Sequence, residues 1–223
     1  MKWTKTLCVC ASAAFGLGVT PSFADGQFLY PIIDEGAGYK VTGREQDAIE
    51  NATEILKVTQ QLPRRVFGGV QASFIGASNS AEFLAGSPRD ILKGMTVEEF
   101  TAVVTPQAVC GDFAELFTTL EYRLLRDQPD AAYIVMSSPM IDIDHSFCGD
   151  DAKGAPQIPQ DPKPEYLLDK ILTHSAVKAF IVVGADRKQE QAWFRYIDKI
   201  DGAVRPTFVK KEGIRSALVE AAQ

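Results

Sequence analysis

Acidic side chains gather in one segment of the sequence that resembles a calcium-binding loop in spacing. Asp142, Asp144 and Ser146 occupy the first three ligand positions of such a loop. That loop type needs glycine at its sixth position and glutamate at its twelfth, where this chain has Phe147 and Lys153. The spacing therefore favours a solvated acidic loop over a calcium site.

Nucleophilic chemistry would depend on a serine or an aspartate that follows a buried apolar run. Ser137 and Ser138 follow one such run, with His145 as the nearest base in sequence, and Asp34 follows another. No Gly-x-Ser-x-Gly elbow surrounds a serine, and a phosphatase-type aspartate would need a second aspartate where Gly36 stands. A hydrolase that acts through Ser138 or Asp34 is therefore the alternative interpretation, and catalytic residues are not assigned.

The histidines and cysteines do not suggest a zinc site. His145 and His174 are the only histidines, and neither has a second ligand at metal-binding spacing. Cys110 and Cys148 are the two cysteines beyond the first 24 residues. Two thiols in an oxidising compartment favour a disulfide, which would stabilise the fold by roughly 4 kcal/mol through loop closure.

The first 24 residues have the three parts of a cleavable secretory signal. Lys2 and Lys5 supply the positive end, an apolar run follows, and Ser22-Phe23-Ala24 provides small residues at a cleavage site. The apolar run is shorter than the roughly 20 residues that span a bilayer. We therefore expect a periplasmic or secreted protein with no membrane insertion after cleavage, whose residues 25–223 form one domain.

Overall charge excludes one class of partner. The chain carries a net charge of −6, and no basic patch stands out in it. A nucleic acid or an anionic membrane is therefore not expected as the partner.

Short apolar runs alternate with helical patterns along the chain. Runs that are apolar without alternation are typical of strands buried on both faces, as in a parallel sheet. The pattern therefore predicts a three-layer α/β fold, with a mostly parallel sheet between helices. The predicted strands are 28–33, 66–76 (one long strand, or two short ones at 66–70 and 71–76), 132–136, 179–184 and 206–209. The predicted helices are 42–61, 96–100, 112–126, 164–172, 189–200 and 214–222, with a helical turn at 80–84.

The order of these elements resembles the von Willebrand factor A domain. That family places a metal-ion-dependent adhesion site at the carboxyl edge of its sheet. Its motifs are Asp-x-Ser-x-Ser after the first strand, a threonine near the start of a later helix, and Ser/Thr-Asp-Gly after the next buried strand. Here Asp34 keeps the first ligand, Gly36 and Gly38 replace the two serines, and Ser138 stands where the later aspartate would be.

The resemblance implies a site whose metal ligands have been lost. The later helix begins at Cys110-Gly111-Asp112 in place of the threonine motif. Because Asp34 remains as a single charged ligand, no metal or cofactor is expected at this edge. Under this fold Cys110 and Cys148 lie at the same edge, so a disulfide would fasten the loops that an ion otherwise organises.

These observations favour an exported, non-catalytic module that binds a protein for adhesion or assembly. The alternatives are a periplasmic hydrolase that uses the same edge and a structural subunit of an envelope assembly. The predicted partner-binding residues follow strand ends or lie in the adjoining loops. They are Asp34, Glu35, Asp112, Ser137, Ser138, Asp142 and Asp144.

Overall fold

The computed structural model describes residues 26–106, 113–141 and 167–223. Within these ranges the strands are β1 (Gln27–Ile33), β2 (Gln71–Gly76), β3 (Glu82–Gly86), β4 (Ala131–Ser137), β5 (Val177–Val183) and β6 (Thr207–Val209). The helices are α1 (Ala37–Val41), α2 (Glu45–Gln60), α3 (Pro88–Gly94), α4 (Val97–Val104), α5 (Phe113–Asp127), α6 (Leu168–Leu172), α7 (Arg187–Ile197) and α8 (Ile214–Ala221). A single 3-10 turn, Lys211–Gly213, precedes α8.

The strands form one sheet in the order β3-β2-β1-β4-β5-β6. All neighbouring pairs are parallel except β2 with β3, which is antiparallel. The strand order changes direction between β1 and β4. In open α/β sheets, ligands bind beyond the carboxyl ends of the strands at such a switch point.

Two apolar layers cover the two faces of the sheet, so the predicted three-layer α/β architecture is confirmed. Residues of β1 alternate between the layers: Leu29 and Ile33 pack with α2, α3, α4 and α8. Tyr30 and Ile32 pack on the opposite face with α5, α6 and α7. Because both faces of β1 and β4 are buried, these strands need apolar residues along most of their length, as they have between the terminal Gln27 of β1 and the terminal Ser137 of β4.

Pro31 lies within β1 although β1 is an inner strand of the sheet. The pairing of β1 with β4 runs without a break from Gln27 to Ile33. The pairing with β2 omits Tyr30 and Pro31. The missing proline N–H therefore interrupts the ladder on the β2 side alone, and the strand keeps its inner position.

The predicted helix 42–61 was wrong at its beginning. Thr42 does not cap it, because its hydroxyl donates to the carbonyls of Gly38 and Tyr39, both at 3.0 Å, and closes α1. The long helix α2 starts later, at Glu45. The loop after β1 therefore contains a helical turn of its own, which the sequence pattern did not reveal.

Two further predictions between β1 and α4 were wrong. Residues 66–70 form turns in place of a strand, with the Phe67 N–H bonded to Pro63 O at 2.9 Å. Residues predicted as a helical turn at 80–84 begin the edge strand β3 instead. Arg123 on α5 fixes this strand, since its guanidinium donates to Glu82 at 2.6 Å and to Ser73 at 3.0 Å.

The predicted helix at residues 96–100 is confirmed, together with its cap. The Thr96 hydroxyl accepts the Glu99 N–H at 3.2 Å, and the Glu99 carboxylate accepts the Thr96 N–H at 2.8 Å. This reciprocal capping box starts α4. The other predicted strands and the helices after β4 are confirmed within a few residues over the described ranges.

Across residues 26–106, 113–141 and 167–223, no helix has the length and apolar character needed to cross a bilayer.

Candidate functional site at the carboxyl edge of the sheet

The loops after β1 and β4 meet directly at the switch point of the sheet. The Asp34 N–H donates to Ser137 O at 2.9 Å, so the chain leaving β1 continues the ladder of β4. The Ser138 N–H donates to Val183 O at 2.9 Å and joins the loop after β4 to β5. These bonds place Asp34 and Ser138 side by side, as the sequence predicts.

The side chains of Asp34 and Ser138 form a direct hydrogen bond. The Ser138 hydroxyl donates to Asp34 Oδ2 at 2.7 Å, and the Gly36 N–H donates to Asp34 Oδ1 at 2.9 Å. Asp34 is 4% exposed and Ser138 is fully buried. Both carboxylate oxygens therefore have partners from the protein itself, in a region closed to water.

Burial is the main influence on the pKa of Asp34. It raises the pKa of this carboxyl from 3.8 to about 6, although the hydrogen bonds from Ser138 and Gly36 act in the opposite direction. The neighbouring carboxylate of Glu35 raises the pKa further. A carboxyl group that titrates this close to neutral pH at the switch point is a feature of functional sites, and it also occurs in structural networks.

The loop after Ser138 is held in a strained conformation. Met140 has a φ of +56°, in the left-handed region that non-glycine residues rarely adopt. Its N–H donates to Ser138 Oγ at 2.9 Å, and its carbonyl accepts the indole N–H of Trp193 at 2.7 Å. The buried side chains of Asp34, Ser138 and Trp193 therefore determine where this loop begins.

Glu35 turns away from Asp34 towards the end of β2. Its carboxylate accepts the Ala77 N–H at 3.0 Å and the Ser78 hydroxyl at 2.5 Å. A Cβ on Gly76 would lie 2.5 Å from Glu35 Oε1, so only glycine leaves room for this carboxylate. Glu35 is 8% exposed and connects the loops after β1 and β2.

Ser137 belongs to a second polar cluster beneath the rim. Its hydroxyl shares a hydrogen bond of 3.2 Å with the Tyr39 hydroxyl, which also accepts the Asn51 side-chain N–H at 3.4 Å. Burial raises the pKa of Tyr39 to about 12, so its hydroxyl is protonated at neutral pH. Gly184 closes over this cluster with a φ of +107°.

Tyr39 and Asn51 belong to the site although the sequence pattern did not predict them. Asn51 had a detectable signal, because its amide lies on the apolar face of α2 beside Ala48 and Ala52. A polar side chain on a buried helix face needs a hydrogen-bond partner. Tyr39 had no comparable signal, because the short helix α1 that carries it was not predicted.

Among the described residues, the side chains at this rim do not provide the ligands for the divalent cation that the family resemblance implies. Calcium and magnesium need about six or more oxygen ligands. Gly36 and Gly38 offer no side chain, both oxygens of Asp34 accept hydrogen bonds, and the Ser138 oxygen both donates and accepts. In the part of the chain that the structure describes, no group of three His, Cys, Asp or Glu side chains could hold a metal.

Several predicted site residues lie outside the described residues. Asp112 precedes α5, and Asp142 and Asp144 follow the loop that begins at Ser138. The predicted disulfide between Cys110 and Cys148 also lies outside them. Of the predicted partner-binding residues, the structure therefore brings together Asp34, Ser137 and Ser138, with Glu35 beside them.

Comparisons with known proteins identify the fold. The sequence matches no family model and no curated protein. Among solved structures, it is similar to the PilB minor pilin of Streptococcus sanguinis (D319A mutant), with a TM-score of 0.53 and 11% identity over 88% of this chain. It is also similar to the pilus adhesin SpaC of Lactobacillus rhamnosus GG, with a TM-score of 0.53 and 10% identity over 88% of this chain.

A third solved structure has nearly the same extent as this chain. It is the vWF domain of the type V pili tip protein Mfa5 of Porphyromonas gingivalis, with a TM-score of 0.53 and 8% identity. The alignment covers 89% of this chain and 94% of that domain, but only 60% of the PilB chain and 30% of the SpaC chain. The fold is therefore of the von Willebrand factor A type, as the sequence predicts.

The Tyr39 hydroxyl lies so close to Gly184 that a larger residue at position 184 is expected to reduce stability. In Gly184→Ala the new Cβ would lie 2.3 Å from the Tyr39 hydroxyl oxygen. Gly202→Ala is the matched control, because Gly202 also has a positive φ, +73°, but open space around it. We expect the control to lose about 1 kcal/mol of unfolding free energy and Gly184→Ala about 2 kcal/mol more, measured by urea denaturation. Equal losses in the two variants would show that Gly184 is not tightly enclosed.

The raised pKa of Asp34 makes stability depend on pH. Between pH 3.8 and about 6 the folded state holds a proton that the unfolded state releases, so the unfolding free energy falls as pH rises. We expect Asp34→Asn to reduce this fall by about 1–3 kcal/mol between pH 4 and pH 7.5, measured by urea denaturation. Asp201→Asn, at an exposed turn, controls for the loss of a negative charge. Profiles of the same slope in wild type and Asp34→Asn would contradict the assignment.

Proposed function

We propose that this chain is an exported, non-catalytic module that binds a protein partner in adhesion or assembly, through the carboxyl edge of its sheet. The observation that carries the proposal is the hydrogen bond between Ser138 and Asp34 at the switch point of a von Willebrand factor A-type fold. This edge is where such sheets bind their ligands. In this chain the edge is built from side-chain and backbone hydrogen bonds.

Similar solved structures support the choice of a protein partner. They are described as a minor pilin, a pilus adhesin and a domain of a pilus tip protein. At 8–11% identity they share the fold with this chain and little of the sequence. The role in adhesion or assembly is therefore a fold-level analogy, to which the local geometry adds the site.

Local geometry supports binding without an ion. A metal-ion-dependent site presents an open coordination position to a carboxylate of the partner. Here the Ser138 hydroxyl already stabilises the Asp34 carboxylate by a hydrogen bond and connects the loops that an ion would connect. We infer that the metal site is degenerate and that the partner is recognised by side chains around it.

The buried residues of the site have a positioning role in this proposal. Asp34, Glu35, Ser137 and Ser138 are each at most 8% exposed, so a partner does not reach them without displacing the surface. The exposed neighbours that follow the strand ends are better placed to contact it. They are Lys40 and Thr42 after β1, Asn79 after β2, and Asp186, Arg187 and Lys188 after β5. We include in the proposed surface Asp112, which directly precedes α5 in sequence, and Asp142 and Asp144, which follow β4 in sequence.

The proposed export rests on the first residues of the chain and on its cysteines. Residues 1–24 have the composition of a secretory signal, and Cys110 and Cys148 suit a disulfide in an oxidising compartment. Two of the similar solved structures are a minor pilin and a pilus adhesin. A periplasmic or secreted location agrees with that similarity.

One observation favours the hydrolase alternative. The Ser138 hydroxyl lies 2.7 Å from Asp34, a carboxylate whose pKa is raised to about 6, as for a nucleophile beside a base. Ser138 is fully buried, however, and its oxygen accepts the Met140 N–H. A nucleophile needs an open approach for its substrate, so we favour the binding function.

Photo-crosslinking in the native host tests where the partner binds. A photoreactive amino acid is placed at Lys40, Asn79 or Arg187, which surround the site at the carboxyl edge. We expect all three positions to crosslink to the same envelope or surface protein, because they lie on one surface. Mass spectrometry of the purified adducts identifies the partner, and the yield should be unchanged by EDTA.

Positions at the opposite end of the sheet provide the control. Ser175 and Lys178 are exposed and lie at the amino end of β5. We expect the same partner to be at least tenfold less abundant at these positions. Equal amounts of adduct at both ends of the sheet would refute the proposed binding edge. Adducts that disappear with EDTA would refute its independence of metal.

A further inference from the structure

A cavity lies at the end of the sheet opposite to the proposed binding edge. It has a volume of about 480 Å³ and opens between the loop that precedes β2 and the start of α3. Small-molecule sites in proteins span roughly 300–1,000 Å³. This cavity is therefore large enough for a small ligand, and it shares no residue with the cluster around Asp34.

Among the described residues, the charged side chains that line this cavity both belong to arginines. Arg64 comes from the loop before β2 and Arg89 from the first turn of α3. Neither guanidinium forms an ion pair with another residue of the described ranges. The nearest acid in sequence is Asp90, whose carboxylate accepts the Ser87 hydroxyl at 2.6 Å. Arg89 is also attracted electrostatically to Asp90, but no carboxylate is among the described residues that line the cavity, so the lining is locally cationic in a chain of net charge −6.

The loop that carries Arg64 also presents backbone donors. Its turns bond the N–H of Phe67 to Pro63 O at 2.9 Å and the N–H of Val70 to Phe67 O at 3.3 Å. Between them, the N–H groups of Gly68 and Gly69 have no acceptor among the described residues. Consecutive free N–H groups in a turn form a concave site that favours anions.

Gly68 is required for the shape of this loop. A Cβ at this position would lie 2.8 Å from the carbonyl oxygen of Arg64, so a larger residue would push the turn apart. Gly69 has open space around its Cα. The loop therefore brings free backbone donors and the Arg64 side chain to the same cavity.

We propose that this cavity binds the oxyanion group of a small ligand, a phosphate or a carboxylate. The guanidinium groups of Arg64 and Arg89 donate charge-assisted hydrogen bonds to it, and the N–H groups of Gly68 and Gly69 complete its coordination. The side chains of Phe67 and Leu62 provide an apolar wall for the rest of the ligand. This proposal is independent of the partner at the carboxyl edge.

Calorimetric titration of the purified chain tests the site with two probes, inorganic pyrophosphate and citrate. We expect one-to-one binding of at least one probe, and the stronger one identifies the class of oxyanion. Arg64→Gln and Arg89→Gln should each weaken binding about tenfold or more. Arg65→Gln is the matched control, since Arg65 is the adjacent exposed arginine and does not line the cavity; it should change binding less than twofold.

Nuclear magnetic resonance supplies a second measurement that does not depend on the variants. The amide signals of Gly68 and Gly69 should shift on titration of the wild-type chain, while those of Gly184 and Gly202 should not. The proposal is overturned if neither probe binds, if Arg65→Gln weakens binding as much as Arg64→Gln, or if the shifts fall elsewhere.

Discussion

The hydrogen bond from Ser138 to Asp34 is the contact on which the carboxyl edge depends. It connects the loops after β1 and β4 at the point where the strand order reverses. Through Ser138 it also holds Met140 in a left-handed conformation, and Met140 in turn accepts the indole N–H of Trp193. The beginning of the loop after β4 is thus fixed from the sheet and from α7.

Burying Asp34 with hydrogen bonds as its partners has a physical cost. A buried carboxylate without a cation is disfavoured by desolvation, and the raised pKa of Asp34 reports this cost. The Gly36 N–H and the Ser138 hydroxyl offset part of it. The charge of Asp34 is therefore sensitive to pH, and in the proposed ion-free site these hydrogen bonds hold the loops.

Hydrogen bonds also divide the edge into a buried framework and an exposed surface. Tyr39, Asn51 and Ser137 lie beneath the rim, while Lys40 and Arg187 lie outside it. A framework of this kind fixes the backbone. The exposed side chains can then vary without altering the fold. This separation is typical of binding loops on rigid scaffolds.

Much of the fold could be predicted from the sequence because both faces of the sheet are buried. Residues 132–136 and 179–183 are apolar without alternation, which few structures other than an inner parallel strand require. The Thr96 cap was predictable for a local reason, since the capping box lies within four residues. The edge strand β3 was not, because Glu82 is stabilised by Arg123, which is 41 residues away.

The candidate site was predictable in part for the same reasons. The proximity of Asp34 and Ser138 follows from the parallel strand ends and the family resemblance. The hydrogen bond between them does not follow, because it depends on the rotamer of a single hydroxyl. Gly184 over Tyr39 and the cavity beside Arg64 depend on tertiary packing, which leaves no periodic signal in the sequence.

A double-mutant cycle between Asp34→Ala and Ser138→Ala tests the central claim most directly, with unfolding free energies measured in EDTA and in millimolar magnesium. If the hydrogen bond connects the two loops in place of an ion, the coupling energy should be about 1–3 kcal/mol and the same in both buffers. A coupling energy near zero in EDTA that appears only with magnesium would contradict the account, because it would show that a bound cation makes the connection.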